Sequence, residues 1–181
     1  MSSSTSALNL LDLIQSHRVT AAIYVAAKLG IADLLSSGPK PLAELAKATG
    51  ADQPALARLL TALSAIGICA PVGEDRYALT EVGAALDGAA KPSFKGWAIF
   101  EGEMLSKSWS GMLETIMTGK TAAQLLGLNN SFDLMARVPE NVRIFNAAMA
   151  ELTGLVMTDL LSAYDSAALL TCWMWEAVQA N

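Results

Sequence analysis

Leu42-Ala43-Glu44-Leu45-Ala46-Lys47-Ala48-Thr49-Gly50, then Asp52-Gln53-Pro54 and Leu56 through Gly67, decide the fold. Leu42, Leu45 and Ala46 put an apolar stripe on a short helix that stops near Gly50. Asp52 is placed to cap the next helix. Pro54 falls in its first turn, where a missing N–H costs nothing. Leu56, Leu59, Leu60, Leu63 and Ile66 recur at i, i+3 and i+4, so one face stays apolar, and Gly67 is the C-terminal stop. Ile68 to Val72 reads as a strand, Gly73-Glu74-Asp75 as a turn and Arg76 to Leu79 as a second strand. Thr80 caps a further helix running to Leu86. Helix, turn, helix and β-ribbon in this order predict a winged helix-turn-helix spanning Leu42 to Gly83.

Outward toward the N-terminus, Leu8, Leu10, Leu11, Leu13 and Ile14 predict an amphipathic opening helix. Ser16, His17 and Arg18 interrupt it, and Val19 to Leu29 resumes the pattern. The small residues from Ala21 to Ala27 permit close helix approach, so that segment is expected between neighbours. Gly38-Pro39-Lys40-Pro41 punctuates the chain before the organising stretch. On the other side, Phe94 to Met117 reads as one long helix, with Gly96, Gly102 and Gly111 arguing against full continuity. Thr118 to Asn130 reads as a connection, Ser131 as a cap for Phe132 to Ala136, and Pro139 as the start of a last helix through Tyr164. The fold class is mainly α, with long helices flanking the winged motif.

The 181 residues are 53% hydrophobic and only 16% charged. So apolar a chain is expected to bury surface against something else, most simply a second copy. The formal net charge of −5 argues against nucleic acid as a partner. Gln53, Arg58, Thr61 and Ser64 are a thin outer face for a recognition helix, and acidic Glu74 and Asp75 on the ribbon repel phosphate. Cys69 and Cys172 predict neither a disulfide framework nor a metal site. Met1 to Ser6 lacks the features of a signal peptide, and no run is apolar enough to span a bilayer. A cytoplasmic location is expected. His17 is the only histidine and lacks an evident catalytic companion, so it is read as a polar break or a contact to a partner. Glu101, Glu103 and Glu114 are read as a solvated helix face.

Three blocks carry a family resemblance: Tyr24 to Ala27 with Leu29-Gly30-Ile31 and Asp33-Leu34-Leu35; the organising stretch from Leu45 to Gly83; and Phe145-Asn146-Ala147-Ala148-Met149. Together they resemble the N-terminal dimerisation domain of the small-molecule, S-adenosylmethionine-dependent O-methyltransferases. These are the bacterial relatives of the plant caffeate-type enzymes. The resemblance implies an interlocked homodimer built by residues 1–165. It also implies a wall of the pocket for a small aromatic acceptor, drawn from Trp97, Phe100, Met104, Trp109, Phe145 and Met149. Without the resemblance these residues are core at helical spacing; Met and Trp also suit a flat ligand. The catalytic histidine and the S-adenosylmethionine site are implied for a later, Rossmann-like domain. No catalytic, cofactor-binding or metal-ligating residue is therefore assigned here. The alternatives are a winged-helix transcriptional regulator and an interaction module acting on a full-length enzyme.

Residues 166–181 end in Cys172-Trp173-Met174-Trp175-Glu176-Ala177-Val178-Gln179-Ala180-Asn181. Read from the third base of the Cys172 codon, the codons these residues require force Leu-Asp-Val-Gly. They then permit Gly-Gly-(Ala or Ser)-Gly. Such a glycine-rich strand-to-helix turn lets a backbone approach a nucleotide-like cofactor. The tail is thus expected to be an out-of-frame remnant of the methyltransferase domain, by frameshift between Tyr164 and Cys172. The 181-residue chain alone is expected to bind no S-adenosylmethionine and to turn nothing over.

Overall fold

The computed structural model describes residues 3–130, 132–133 and 138–163. Helix α1, Ser3–Lys28, is followed by the single turn of α2, Ile31–Leu35. Strand β1, Lys40–Pro41, leads into α3, Leu42–Thr49, and α4, Gln53–Ala65. Strands β2, Cys69–Pro71, and β3, Arg76–Leu79, precede the short α5, Glu81–Ala84. The second half holds α6, Lys95–Phe100, a π-helical turn over Glu101–Leu105, and α7, Ser106–Ser110. Helices α8, Met112–Thr118, α9, Ala122–Leu125, and α10, Pro139–Ala163, follow.

The organising stretch forms as its residues dictate. The Asp52 carboxylate accepts the Ala55 N–H at 2.9 Å, with Pro54 in the first turn. At the other end Gly67 takes φ +77°. The Gly67 N–H reaches the Ser64 carbonyl and the Ile68 N–H reaches that of Leu63, closing both orphaned groups. Strand β3 is the centre of a three-stranded antiparallel sheet in the order β1-β3-β2. Cys69 faces Leu79 and Pro71 faces Tyr77, while Lys40 faces Tyr77 from the other edge. Strand β1 lies inside the Gly38–Pro41 punctuator and is a strand that alternation in two residues could not disclose. The Thr80 hydroxyl accepts the Gly83 N–H at 3.0 Å and donates to the Gly67 carbonyl at 2.6 Å, tying α5 to the end of α4. Helix α5 ends at Ala84, short of the expected Leu86.

The main core joins α1 to α4 and the sheet around Leu45, Leu60 and Leu63, all fully buried, with Ile31, Leu56 and Cys69. A second cluster joins α6, the π-turn and α10 around Phe100, Met104, Ile144 and Ala148. Helix α6 lies so close to α10 that a Cβ on Gly96 would sit 3.0–3.2 Å from atoms of Ala147 and Ala148.

Some expectations are corrected. Ser16-His17-Arg18 does not interrupt α1, which is continuous: Ser16 Oγ donates to the Leu13 carbonyl, and Arg18 to the Gln15 side chain. The apolar residues of the Leu8–Ile14 segment are exposed. Residues Ala26 and Ala27 are buried within this chain's own fold, so the second half of α1 serves the protomer core. Phe94 to Met117 is not one helix, because the backbone widens at Glu101–Leu105 and breaks at Gly111. The Thr118–Asn130 connection contains α9, whose Thr121 and Gln124 form a reciprocal capping box. The Ser131 cap, the helix end at Tyr164 and the 166–181 tail lie outside the described residues.

Candidate functional site

The second cluster is the place where most of the predicted pocket residues meet. Trp97 and Phe100 come from α6, Met104 from the π-turn, and Phe145 and Met149 from α10. The four-residue spacing of Phe145 and Met149 sets both on one face of α10, while Phe100 closes α6 and Met104 follows it on the π-turn. Phe100 makes edge-to-face contacts with Trp97 and with Phe145, both at 5.7 Å between ring centroids. This is the geometry that ring quadrupoles favour. Phe100 and Met104 are buried, whereas Trp97, Phe145 and Met149 are half-buried and present the accessible part.

Trp109 does not join them. It is 60% exposed and lines a separate cleft of about 390 Å³ with Leu105, Ser108, Met112, Leu126 and Leu128. Trp97 also borders a second cleft of about 350 Å³, with Thr20 and Ile23 of α1, Val82, Phe94 and Glu101. The cluster also holds residues outside the predicted set, Ile99, Leu105, Ile144 and Ala148 among them, with Phe132 beside it. Ile144 and Ala148 form its floor, and their own four-residue spacing was the available signal. Phe132 stacks edge-on against Phe145 at 6.2 Å, and nothing in the local pattern announced it.

Charged side chains hold this cluster in place rather than entering it. The Glu151 carboxylate of α10 accepts the Gly96 and Trp97 backbone N–H groups, each at 2.8 Å. It thereby caps α6 from a neighbouring helix and suits the positive end of that helix's dipole. Lys95 Nζ donates to both Asp33 oxygens at 2.8 and 2.9 Å, and the Gly88 N–H adds a third bond. Burial pushes the Asp33 carboxyl upward, but the Lys95 and Gly88 hydrogen bonds outweigh it and hold it below its ordinary value.

Glu103 does not belong to a solvated face. Its Oε1 accepts from Lys28 Nζ at 2.5 Å and from the Tyr24 hydroxyl at 3.1 Å. The Lys28 hydrogen bond lowers its carboxyl below the usual range against the opposing effect of burial. Burial, and then Glu103, raise the Tyr24 phenol. Glu101 is half-buried beside Trp97's second cleft, and only Glu114 is exposed as expected. His17 is exposed, with Nδ1 3.1 Å from the Ile14 carbonyl oxygen of its own helix. Among the described residues no group of three or more His, Cys, Asp or Glu could hold a metal ion. Nor is any described helix long and apolar enough to cross a membrane. Trp97, Phe145 and Met149 leave the cluster an accessible apolar edge.

Comparison with known proteins bears on both halves. Residues 11–86 match the O-methyltransferase dimerisation domain model. A phenazine O-methyltransferase of Lysobacter antibioticus is 38% identical over 156 residues, which cover 86% of this chain and 46% of that protein. An 8-amino-8-demethylriboflavin N,N-dimethyltransferase of Streptomyces davaonensis is 32% identical over 166 residues, 89% of this chain and 47% of that protein. The solved structure of LaPhzM superposes with a TM-score of 0.82 at 38% identity, over 88% of this chain and 48% of that one. The chain thus spans about half the length of the curated relatives it matches.

Proposed function

We propose, from the match of residues 11–86 to the O-methyltransferase dimerisation domain, that this chain pairs with a second copy through α1 and supplies one wall of an aromatic acceptor pocket. One observation carries the pairing. Leu8, Leu10, Leu11, Leu13 and Ile14 are 46–71% exposed. At about 100° per residue they occupy roughly 220° of α1, with Asn9, Asp12 and Ser16 on the remaining face. So wide an apolar face is one meant to be enclosed, and the other described residues of this chain do not enclose it. The partner's helices do so, giving an interlocked homodimer. In this reading the α3–α4 pair and the sheet are a winged helix serving as a dimer scaffold. The acidic turn at Glu74 and Asp75 weighs against a DNA-binding regulator.

Trp97, Phe100, Met104, Phe145 and Met149 are the acceptor wall, and Trp109 reaches the same molecule only from the neighbouring cleft. The parent activity is transfer of a methyl group to a small aromatic acceptor such as a phenol. S-adenosylmethionine supplies that methyl as an electrophile when bound to the Rossmann-like domain that follows residue 165 in the parent. This chain's part is positional. The edge-to-face rings orient the acceptor and exclude water, and such orientation contributes up to about 7–11 kcal/mol when the site is complete. The domain division at 165 rests on the resemblance, and the out-of-frame reading of 166–181 on the codon arithmetic. DNA sequencing across codons 164 to 181 and beyond tests them.

Light scattering tests the pairing. The unmodified chain should have twice the chain mass, and Leu13→Glu with Ile14→Glu should release folded monomer. A monomeric unmodified chain at micromolar concentration overturns the reading.

A further inference from the structure

The π-turn at Glu101–Leu105 is a one-residue excess in an otherwise α-helical run from Lys95 to Ser110. Such bulges cost hydrogen-bond geometry and persist where something holds them. Here the holding groups come from α1. The Ser106 N–H bonds the Glu101 carbonyl, five residues back. That leaves the Gly102 carbonyl without the amide it would have in an α-helix. The Ser106 hydroxyl takes that carbonyl instead, at 2.6 Å. Tyr24 occupies the space beside Gly102: a Cβ there would lie 2.1 Å from Tyr24 Cγ and 2.4 Å from Cδ2. The same tyrosine donates its hydroxyl to Glu103, and Lys28, one helical turn further along α1, pairs with the same Glu103 oxygen.

We propose that Tyr24, Lys28, Glu103 and Ser106 are positioning residues that hold the π-turn, so that α1 sets the register of the aromatic wall. The consequence for ligand binding rests on the acceptor-wall reading above; the lock itself does not. Relaxing the turn to a regular α-helix would rotate the segment after it by roughly one residue's worth, about 100°. Met104 would leave Ile144 and Ala148, and the Leu105–Trp109 segment would turn with it. The helix that carries the exposed apolar surface would thereby also govern the shape of the wall.

Residue-resolved amide hydrogen exchange on the 181-residue chain tests this. Glu103→Gln, Lys28→Met and Ser106→Ala should each raise exchange at residues 104–107 at least tenfold, with α3 and α4 unchanged. Lys28→Arg should restore the slow rate, because it keeps the charge and the reach. Lys28 is half-exposed, so its variants are expected to fold whatever Gly102 or Tyr24 variants do. Unchanged exchange at residues 104–107, equal acceleration throughout the chain, or failure of Lys28→Arg to restore the rate overturns the proposal. The acceptor wall is tested separately, by quenching of tryptophan fluorescence in the unmodified chain with a hydroxyphenazine. Absence of quenching counts against the wall and leaves the exchange result to decide the lock.

Discussion

Glu151 bears on α6 through one carboxylate and two backbone amides. Glu151→Ala uncovers both N–H groups where Gly96 is buried. The expected loss is about 1–3 kcal/mol, the range for caps and charge-assisted bonds, read from urea unfolding. Glu151→Gln keeps one carbonyl acceptor and should lose less. Asp33 makes a different prediction. Its folded carboxyl titrates below its ordinary value, so its contribution is fully present above the unfolded value of about 3.9. That contribution disappears as pH falls through the lowered folded value. Unfolding midpoints taken from pH 6 down to pH 3 should therefore fall less steeply in Asp33→Asn than in the unmodified chain. Gly83 is needed for want of space, since a Cβ there would sit 1.9 Å from the Ile68 carbonyl oxygen. Gly83→Ala must move backbone and should cost about 2–3 kcal/mol by thermal or urea unfolding, toward the upper end of overpacking penalties.

At the scale of elements, what the sequence disclosed is what local chemistry fixes. The α4 boundaries were legible because Asp52, Pro54 and Gly67 each have one strong local preference, and the hairpin because Gly73 marks its turn. The α9 capping box was legible too, in Thr121 and Gln124 at the right spacing, though the segment reads as a connection when only Gly119 and Gly127 are weighed. The π-turn was not legible. Its cause is Tyr24, 78 positions before Gly102, and a tertiary contact leaves no local period. The candidate site shows the same division. Phe145 and Met149 fall out of helical spacing, whereas the placement of Trp109 depends on a bulge that spacing cannot report. Thr121→Ala tests the α9 cap. It should loosen α9, with faster amide exchange at residues 122–125, and leave the main core's unfolding midpoint almost unchanged.

For the whole molecule, α1 divides into two parts with different fates. Its second half is core, and its first half is bare apolar surface. If a second copy covers that surface, unfolding is coupled to dissociation. The melting temperature should then rise with protein concentration, and calorimetry across a hundredfold dilution checks this. The π-turn carries a further implication at this scale. A bulge is an insertion that the helix has absorbed, so a deletion can also remove it. Taking one residue out of the Glu101–Leu105 segment would restore an ordinary helical repeat and leave the residues after it facing much as they do, whereas losing the bulge at full length would turn them. In this stretch the number of residues and the bulge have to agree. A single-residue deletion there is therefore expected to disturb the packing of α7 less than straightening the full-length segment would.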